Sequence, residues 1–357
     1  MTHLELFSGI GGFRRALDLL TQDGIMPFEC VGYSEIDAKA KLTYQTNFDT
    51  RGEVDMGDIV AFTANPQNIE ELPDFDLLTG GFPCQTFSVM GAQTGFNEDR
   101  GQMFFRIIDI LNVKRPRYIL LENVKNLYRH DKGNTYARIQ QELEDLGYHV
   151  FPNIFNTVDF HLPQKRSRVL IFATTDDIPA NFVENYVPEN IIAFFEEHYQ
   201  HLSVLHYDST LDLLEQNVDA KYFLSERLKP TILADGSANF KSRSDINQLI
   251  ARTLTASMHK MHRACQDNYY SQDFIESHGT INHANDYTKE QLAQLDIRKL
   301  TPQEAFMLQG FPSEFATNSQ RAGVSNGALY KQAGNAVSVN TIYAVLYYLI
   351  ANQIIHE

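Results

Sequence analysis

The chain is predicted to be an α/β protein with a parallel-rich sheet and a second, smaller domain of irregular, mixed structure. Three observations carry that prediction. Across the first 175 residues, short apolar runs alternate with helical stretches, the rhythm of strands joined by helical crossovers. After residue 175 that rhythm stops, and helical patterns resume only near the C-terminus. Finally, 357 residues with 43% hydrophobic content suit one large domain plus a smaller one and supply a sizeable core.

Taken in order, "HLELF" (3–7) is the first strand, followed by a glycine loop and a helix through "GFRRALDLL". "FECVGYS" (28–34) is the second strand, leading past Glu35 into a helix over "DAKAKLTYQTNF". Buried-strand runs follow at "DFDLLTG" (74–80), "RYILLEN" (117–123) and "RVLIFAT" (168–174), with helices over "QMFFRIIDILNV" and "NTYARIQQELEDLG" between them. Residues 1–175 form one segment and 176–297 an irregular one. In 298–357, "TPQEAFMLQ" (301–309) and "AVSVNTIYAVLYYLIAN" (336–352) are again helical. There is no internal repeat and no low-complexity linker.

Composition excludes several classes. The start "MTHLELFSGI" lacks a basic segment followed by a long apolar one, so no signal peptide is expected. No apolar run is expected to reach a membrane-spanning length, so no membrane partner is expected. Cys30, Cys84 and Cys265 are odd in number and scattered, which argues against a disulfide framework and for a reducing, cytoplasmic setting. The net charge of −15 is unevenly spread. Between Asp176 and Ala220 there are ten acidic residues and no Lys or Arg, whereas Arg227 to Arg263 holds seven Lys or Arg against Asp235 and Asp245. Local patches rather than net charge set attraction to phosphate, although such a patch is often only a solvated face.

The carboxyl ends of the strands hold the chemistry, because ligands of open α/β sheets bind there. "FSGIGG" (7–12) lets backbone approach a ligand closely but does not fit the G-x-G-x-x-G fingerprint. Glu35 ends the second strand, where a carboxylate can accept from a ribose diol. Asp58, in "MGDIV", can accept from an exocyclic amine, with Ile36 and Ile59 flanking a flat ring. Each acid taken singly reads first as an ordinary solvated carboxylate or helix cap, but together with the glycine loop they point to a nucleoside-containing cofactor. In "GGFPCQTFSVMG" (80–91), Cys84 is either a buried filler thiol or a nucleophile. Glu122 closes the apolar run "RYILLEN", a costly place for a carboxylate unless it is paired or used. In "QKRSR" (164–168), Arg166 and Arg168 lie two apart at the entry to a strand, so both guanidiniums are expected on one side.

These segments resemble the DNA (cytosine-5)-methyltransferases of bacterial type. "FSGIGGF", "SEID", "GDI", "GGFPCQTFS", "LLENVKNL", "QKRSRVLIF", "RKLTPQEAFMLQGFP" and "YKQAGNAVSVN" occur in the family's order and cover nearly all of the chain except 176–297. The resemblance implies a Rossmann-like, S-adenosylmethionine-dependent catalytic domain (1–175), a target-recognition domain (176–297) and a C-terminal segment (298–357) that returns to the catalytic domain. Cys84 is then the nucleophile that adds to cytosine C6. Glu122 contacts N3 and the exocyclic amine, Arg168 contacts O2, and Arg166 supports the site. Phe7, Gly9, Gly11, Glu35, Ile36, Asp58, Ile59, Pro83 and Asn335 match the cofactor pocket. The product is S-adenosylhomocysteine.

The implied substrate is a cytosine flipped out of double-stranded DNA, since a stacked base is unreachable for such chemistry. Residues 85–101 suit a loop that closes over it, with Ser88 entering the vacated space. "ARTLTA" (251–256) resembles the family's Thr-Leu element and brings Arg252 and Thr253 to the DNA. His259, Lys260 and Arg263 in "SMHKMHRACQDNYY" are further candidate contacts. A metal site at His259, His262 and Cys265 lacks a fourth ligand with usual spacing, and no metal is expected. The implied protein is a monomer. It is either the partner of a restriction endonuclease with the same target or a solitary or phage methylase. A tRNA cytosine-5 methyltransferase is the alternative, and a nicotinamide-dependent oxidoreductase would leave Cys84, Glu122 and the arginines unexplained.

Overall fold

The computed structural model describes residues 1–83, 103–236, 242–260 and 262–357. Cys84, Ser88 and the expected closing loop lie outside the described residues. The sheet has seven strands: β1 Thr2–Leu6, β2 Glu29–Tyr33, β3 Val54–Asp55, β4 Leu77–Gly81, β5 Tyr118–Val124, β6 His149–Asn156 and β7 Ser167–Thr174. Their order is β3-β2-β1-β4-β5-β7-β6. β1 to β5 pair in parallel, and β7 runs antiparallel to both of its neighbours. The chain first builds outward from β1 through β2 to β3, then returns to place β4 on the other side of β1. That reversal makes the carboxyl ends of β1 and β4 the crevice where such sheets bind ligands.

The strands expected from the apolar runs are present, β1, β2, β5 and β7 within one residue at each end and β4 starting three residues later than expected. Leu4, Leu6, Leu77, Leu78, Leu120, Leu121 and Ile171 are fully buried, and covering both faces is what makes parallel strands read as continuous apolar runs. The helices Gly12–Gln22, Ala38–Asn47, Met103–Lys114 and Asn134–Asp145 form over the expected segments. β6 is the strand the pattern hides. It carries Pro152 and sits at the sheet edge, paired only with β7, the position where a strand tolerates proline.

The chain forms two compact units, whose boundaries differ from the expected segments. The first comprises 1–156, 167–204 and 341–357, and the second 157–166 and 205–340. Residues 176–204 belong with the sheet because Phe182 and Tyr186 stack on each other and their rings meet Phe151 and Phe172. Residues 298–340 belong with the second unit. There the strand β9 (Ile297–Lys299) pairs with β8 (Tyr269–Ser271). The fully buried Arg298 also donates to both oxygens of Glu304, at 2.7 and 2.9 Å. One further expectation is corrected: the helical stretch Asn326–Ala351 is, by length and composition, long and apolar enough to cross a membrane, and 89% of its window is buried as in a core helix.

Candidate active site

At the end of β1 the backbone turns through left-handed conformations, with φ of +53° at Phe7, +55° at Gly9 and +83° at Gly11. Three backbone N–H groups tie the loop to the end of β2, and a fourth bond orients the acid there. Phe7 N–H donates to Ser34 Oγ at 3.0 Å and Ser8 N–H to the Ser34 carbonyl at 2.9 Å. Gly9 N–H donates to Glu35 Oε2 at 2.8 Å, and Asp37 N–H to Glu35 Oε1 at 2.7 Å. Two backbone donors thus orient the Glu35 carboxylate.

The two glycines are required for different reasons. A Cβ at Gly11 would overlap the Phe48 ring, so the neighbouring helix excludes any side chain there. Among the described residues, a Cβ at Gly9 would meet no atom within 4 Å beyond its chain neighbours, so the bare backbone there faces open space. Phe7 is partly buried against the sheet core. Ile36 is 73% exposed, whereas Ile59 is 4% exposed within the core cluster. Asp58 caps the helix Ile59–Thr63, its Oδ1 accepting from Val60 N–H at 3.0 Å.

The second cluster lies where β4, β5 and β7 meet. Gly81, the last residue of β4, is paired with Glu122 on β5, which is in turn paired with Leu170 on β7. Arg168 is two residues from Leu170 and therefore shares its face. Its Nε reaches Glu122 Oε1 at 2.9 Å, with both side chains mostly buried (16% and 11% exposed). Arg168 also donates to the Ser167 carbonyl. The next β5 residue, Asn123, is 2% exposed. Its Nδ2 donates to the Phe82 carbonyl at 2.9 Å, and its Oδ1 accepts from Val124 N–H at 2.8 Å. Asn123 thus holds Phe82, between the end of β4 and the exposed Pro83.

Arg166 does not share the role of Arg168. It is 2% exposed within the second unit, and its guanidinium donates to the carbonyls of Leu254 (3.0 Å), Gly334 (3.1 Å) and Ala336 (2.7 Å). Arg166 lies one residue before β7, which begins at Ser167. Around Arg166, Gln164 pairs with Ala251 in a parallel bridge, accepts from Leu254 N–H at 2.9 Å and donates to the Leu308 carbonyl at 2.9 Å. Thr253 Oγ1 donates to the Lys165 carbonyl.

The remaining candidates of the second unit divide sharply. Arg252 donates to the carbonyls of Asp245 and Asp267, at 2.9 and 3.4 Å. Arg263 donates to Ser257 Oγ and Thr255 Oγ1 and pairs with Asp267 at 2.9 Å. Both guanidiniums therefore knit loops together. His259 bonds the Ala256 carbonyl through Nδ1 at 2.5 Å. Lys260 is exposed. Asn335 ends the helix Asn326–Asn335, exposed between the two buried carbonyl-bearing residues that Arg166 holds.

Three residues escaped the sequence reading: Asn123 as a clamp, Gln164 as a brace, and Gly334. A Cβ on Gly334 would overlap the backbone of Thr255 and Ala256. A glycine inside a helical pattern is a visible signal of close approach, but nothing in the sequence names the approaching segment.

These clusters can be set beside known proteins. The family described as C-5 cytosine-specific DNA methylase matches residues 1–351. The Type II methyltransferase M.NgoBI of Neisseria gonorrhoeae is 34% identical over 345 residues, 96% of this chain and 90% of that protein. The orphan methyltransferase M.SPRI of Bacillus phage SPR is 27% identical over 99% of this chain and 98% of its own length. In fold, the chain is similar to the Entamoeba histolytica methyltransferase EhMeth, with a TM-score of 0.72 at 21% identity, covering 100% of this chain and 99% of that one. A match over nearly the whole length, on a sheet whose strand ends carry the glycine loop, Glu35 and the Glu122–Arg168 pair, leads to one assignment: the chain is a methyltransferase and belongs to the C-5 cytosine-specific DNA methylase family.

Proposed function

We propose that the protein methylates C5 of a cytosine flipped out of a short sequence of double-stranded DNA, through a covalent bond between Cys84 and cytosine C6. The observation that carries this reading is the pairing of Glu122 with Arg168 at 2.9 Å, one strand from the end of β4 and three residues beyond Gly81 to Cys84. Cytosine C5 is a weak nucleophile. Addition of the Cys84 thiolate to C6 makes the ring enamine-like and places electron density on C5. Glu122 contacts N3 and the exocyclic amine as the ring accepts electrons, and Arg168 contacts O2. A thiolate needs a local positive field, and the Arg168 guanidinium supplies one. Once C5 carries the transferred methyl group, loss of its proton and elimination of the Cys84 thiolate restore the aromatic ring, so one difficult step becomes easier ones.

The methyl donor is S-adenosylmethionine, which when bound supplies an electrophilic methyl on sulfonium. The residues of the first unit fit it. The empty Cβ position of Gly9 admits the ligand at the backbone, Glu35 is held by Gly9 and Asp37 to accept from the ribose diol, and the exposed Ile36 supplies an apolar face for adenine. The second unit serves target recognition, and Ser88 enters the space left by the flipped base. The protein acts as the modification enzyme of a restriction–modification pair or as a solitary or phage methylase. The family match to a DNA methylase favours DNA over tRNA.

Transfer of labelled methyl groups to duplex DNA and to tRNA tests the reading, with Cys84→Ser as the control. Label in DNA that vanishes in C84S is expected, and label only in RNA overturns it. Duplex carrying 5-fluorocytosine at the target tests the covalent step. Its C5 bears no removable proton after methylation, so the protein–DNA adduct persists. Turnover without any adduct overturns that step.

A further inference from the structure

We propose that Lys299 and His262 form a seat for a backbone phosphate of duplex DNA in the second unit. The proposal rests on the reading of that unit as the DNA-binding part. Both side chains line one concavity open to solvent, together with Met258, Asn268, Tyr269 and Tyr330. Lys299 is the last residue of β9, paired with Tyr269 of β8, so the two-stranded ladder fixes its direction.

Lys299 is half-buried, and among the described residues its Nζ has neither a hydrogen-bond acceptor nor a carboxylate partner. Its one favourable contact is the Tyr330 ring, whose centroid lies 5.1 Å from Nζ. Such a contact offsets only part of the cost of withdrawing an ammonium with three donors from water. Burial accordingly pushes its pKa down.

His262 is in the same position. Its Nδ1 faces the Tyr269 hydroxyl at 3.3 Å, which leaves Nε2 for the concavity. Burial, and then the charge of Lys299, push its pKa down. The acid in the same wall, Asp267, is already consumed, since Arg263 holds one oxygen through its guanidinium at 2.9 Å and the other through its backbone N–H at 3.0 Å. What remains uncompensated is therefore positive. A phosphodiester, with one negative charge shared by two acceptor oxygens, pairs with the Lys299 ammonium, and His262 donates to it through Nε2 in the tautomer whose Nδ1 accepts from the Tyr269 hydroxyl. The exposed Lys260, two residues before His262, adds to the same field. Arg252 and Arg263 are committed to backbone and to Asp267, so the phosphate contact falls to these less conspicuous groups.

The test is the salt dependence of duplex binding by the full chain with S-adenosylhomocysteine present. Each phosphate contact contributes a slope of about 0.9 in log K against log salt. Lys299→Met keeps the apolar stem against Tyr330 and removes the charge. It should lower the slope by about 0.9, a roughly threefold smaller loss of affinity between 50 and 200 mM salt, while Lys299→Arg retains the wild-type slope. An unchanged slope in a K299M protein that melts like the wild type overturns the proposal. In the unsubstituted protein, duplex DNA should shield Lys299 from an amine-reactive reagent, read by peptide mass spectrometry. Equal labelling with and without DNA also overturns it. Failure of the wild type to bind duplex at all would instead sink the DNA reading on which the proposal rests.

Discussion

Arg168 Nε lies 2.9 Å from Glu122 Oε1, a diagonal contact between antiparallel strands β7 and β5 that leaves each side chain less than a fifth exposed. Removing one partner of a largely buried ion pair costs about 3 kcal/mol or more. Arg168→Met should therefore lower stability by that order in denaturant unfolding and abolish methyl transfer. Glu122→Gln leaves the guanidinium an acceptor but removes the charge that the proposed chemistry uses on the cytosine ring. It should keep S-adenosylhomocysteine affinity while cutting turnover by about a hundredfold. Turnover near wild type in E122Q would remove Glu122 from the chemistry.

Asn123 offers a separate test of how the start of the Cys84 segment is held. With its side chain at 2% exposure, its amide joins the Phe82 carbonyl to Val124 N–H. Asn123→Ala leaves a buried carbonyl unmet, costing about 1–3 kcal/mol. The expected signature is a fall in kcat with little change in KM for the cofactor, together with slower alkylation of Cys84 relative to the other thiols. If stability falls but kcat and Cys84 reactivity do not, the clamp is merely structural.

How much of this was legible follows from where each residue sits. Strands β1, β4, β5 and β7 announce themselves because burial on both faces demands continuous apolar runs. Glu122 stands out because a carboxylate breaks such a run. β6 is hidden by Pro152, whose presence makes sense only once the strand is known to lie at an edge. The partners of Arg166, the carbonyls of Leu254, Gly334 and Ala336, are about 90 to 170 residues away along the chain, so no local pattern names them. Arg252 and Arg263 look like DNA contacts in the sequence, yet each finds acceptors within the same stretch of chain, Arg252 in the carbonyls of Asp245 and Asp267 and Arg263 in Thr255, Ser257 and Asp267. Loop residues have no fixed period, so spacing alone does not show that these side chains meet.

Gly9 and Gly11 give opposite expectations for the same substitution. Both have positive φ, which costs a non-glycine residue about 1 kcal/mol. Gly11→Ala adds overlap with the Phe48 ring and should lose a further 1–3 kcal/mol through overpacking. Among the described residues, Gly9→Ala meets no atom beyond its chain neighbours, so it should lose only the backbone strain yet bind S-adenosylhomocysteine at least tenfold more weakly in calorimetry. Equal affinity in G9A and the wild type would mean that the open space beside Gly9 does not receive the cofactor.

A last prediction concerns pH and two buried groups on β1. His3 and Glu5 are both fully buried, two residues apart and so on one face, with the Tyr44 hydroxyl donating to Glu5 Oε2 at 3.3 Å. Burial, only partly opposed by the charge of Arg14, raises the Glu5 pKa from 4.5 to about 8. Its contribution to stability is complete below 4.5 and is lost as pH rises through 8. For His3, burial and then Arg14 lower the pKa from 6.5 to about 3, so its contribution is complete above 6.5 and is lost as pH falls through 3. Between 4.5 and 6.5 the two proton counts cancel, and these groups leave stability flat there. From 6.5 to 8 only Glu5 remains, with a decline of about 1.4 kcal/mol per pH unit. Urea unfolding across pH 3 to 9 should trace this plateau with two falling limbs. Glu5→Gln should level the alkaline limb, and His3→Gln the acid one. An alkaline limb of the same steepness in E5Q would show that Glu5 is not the group that binds the proton.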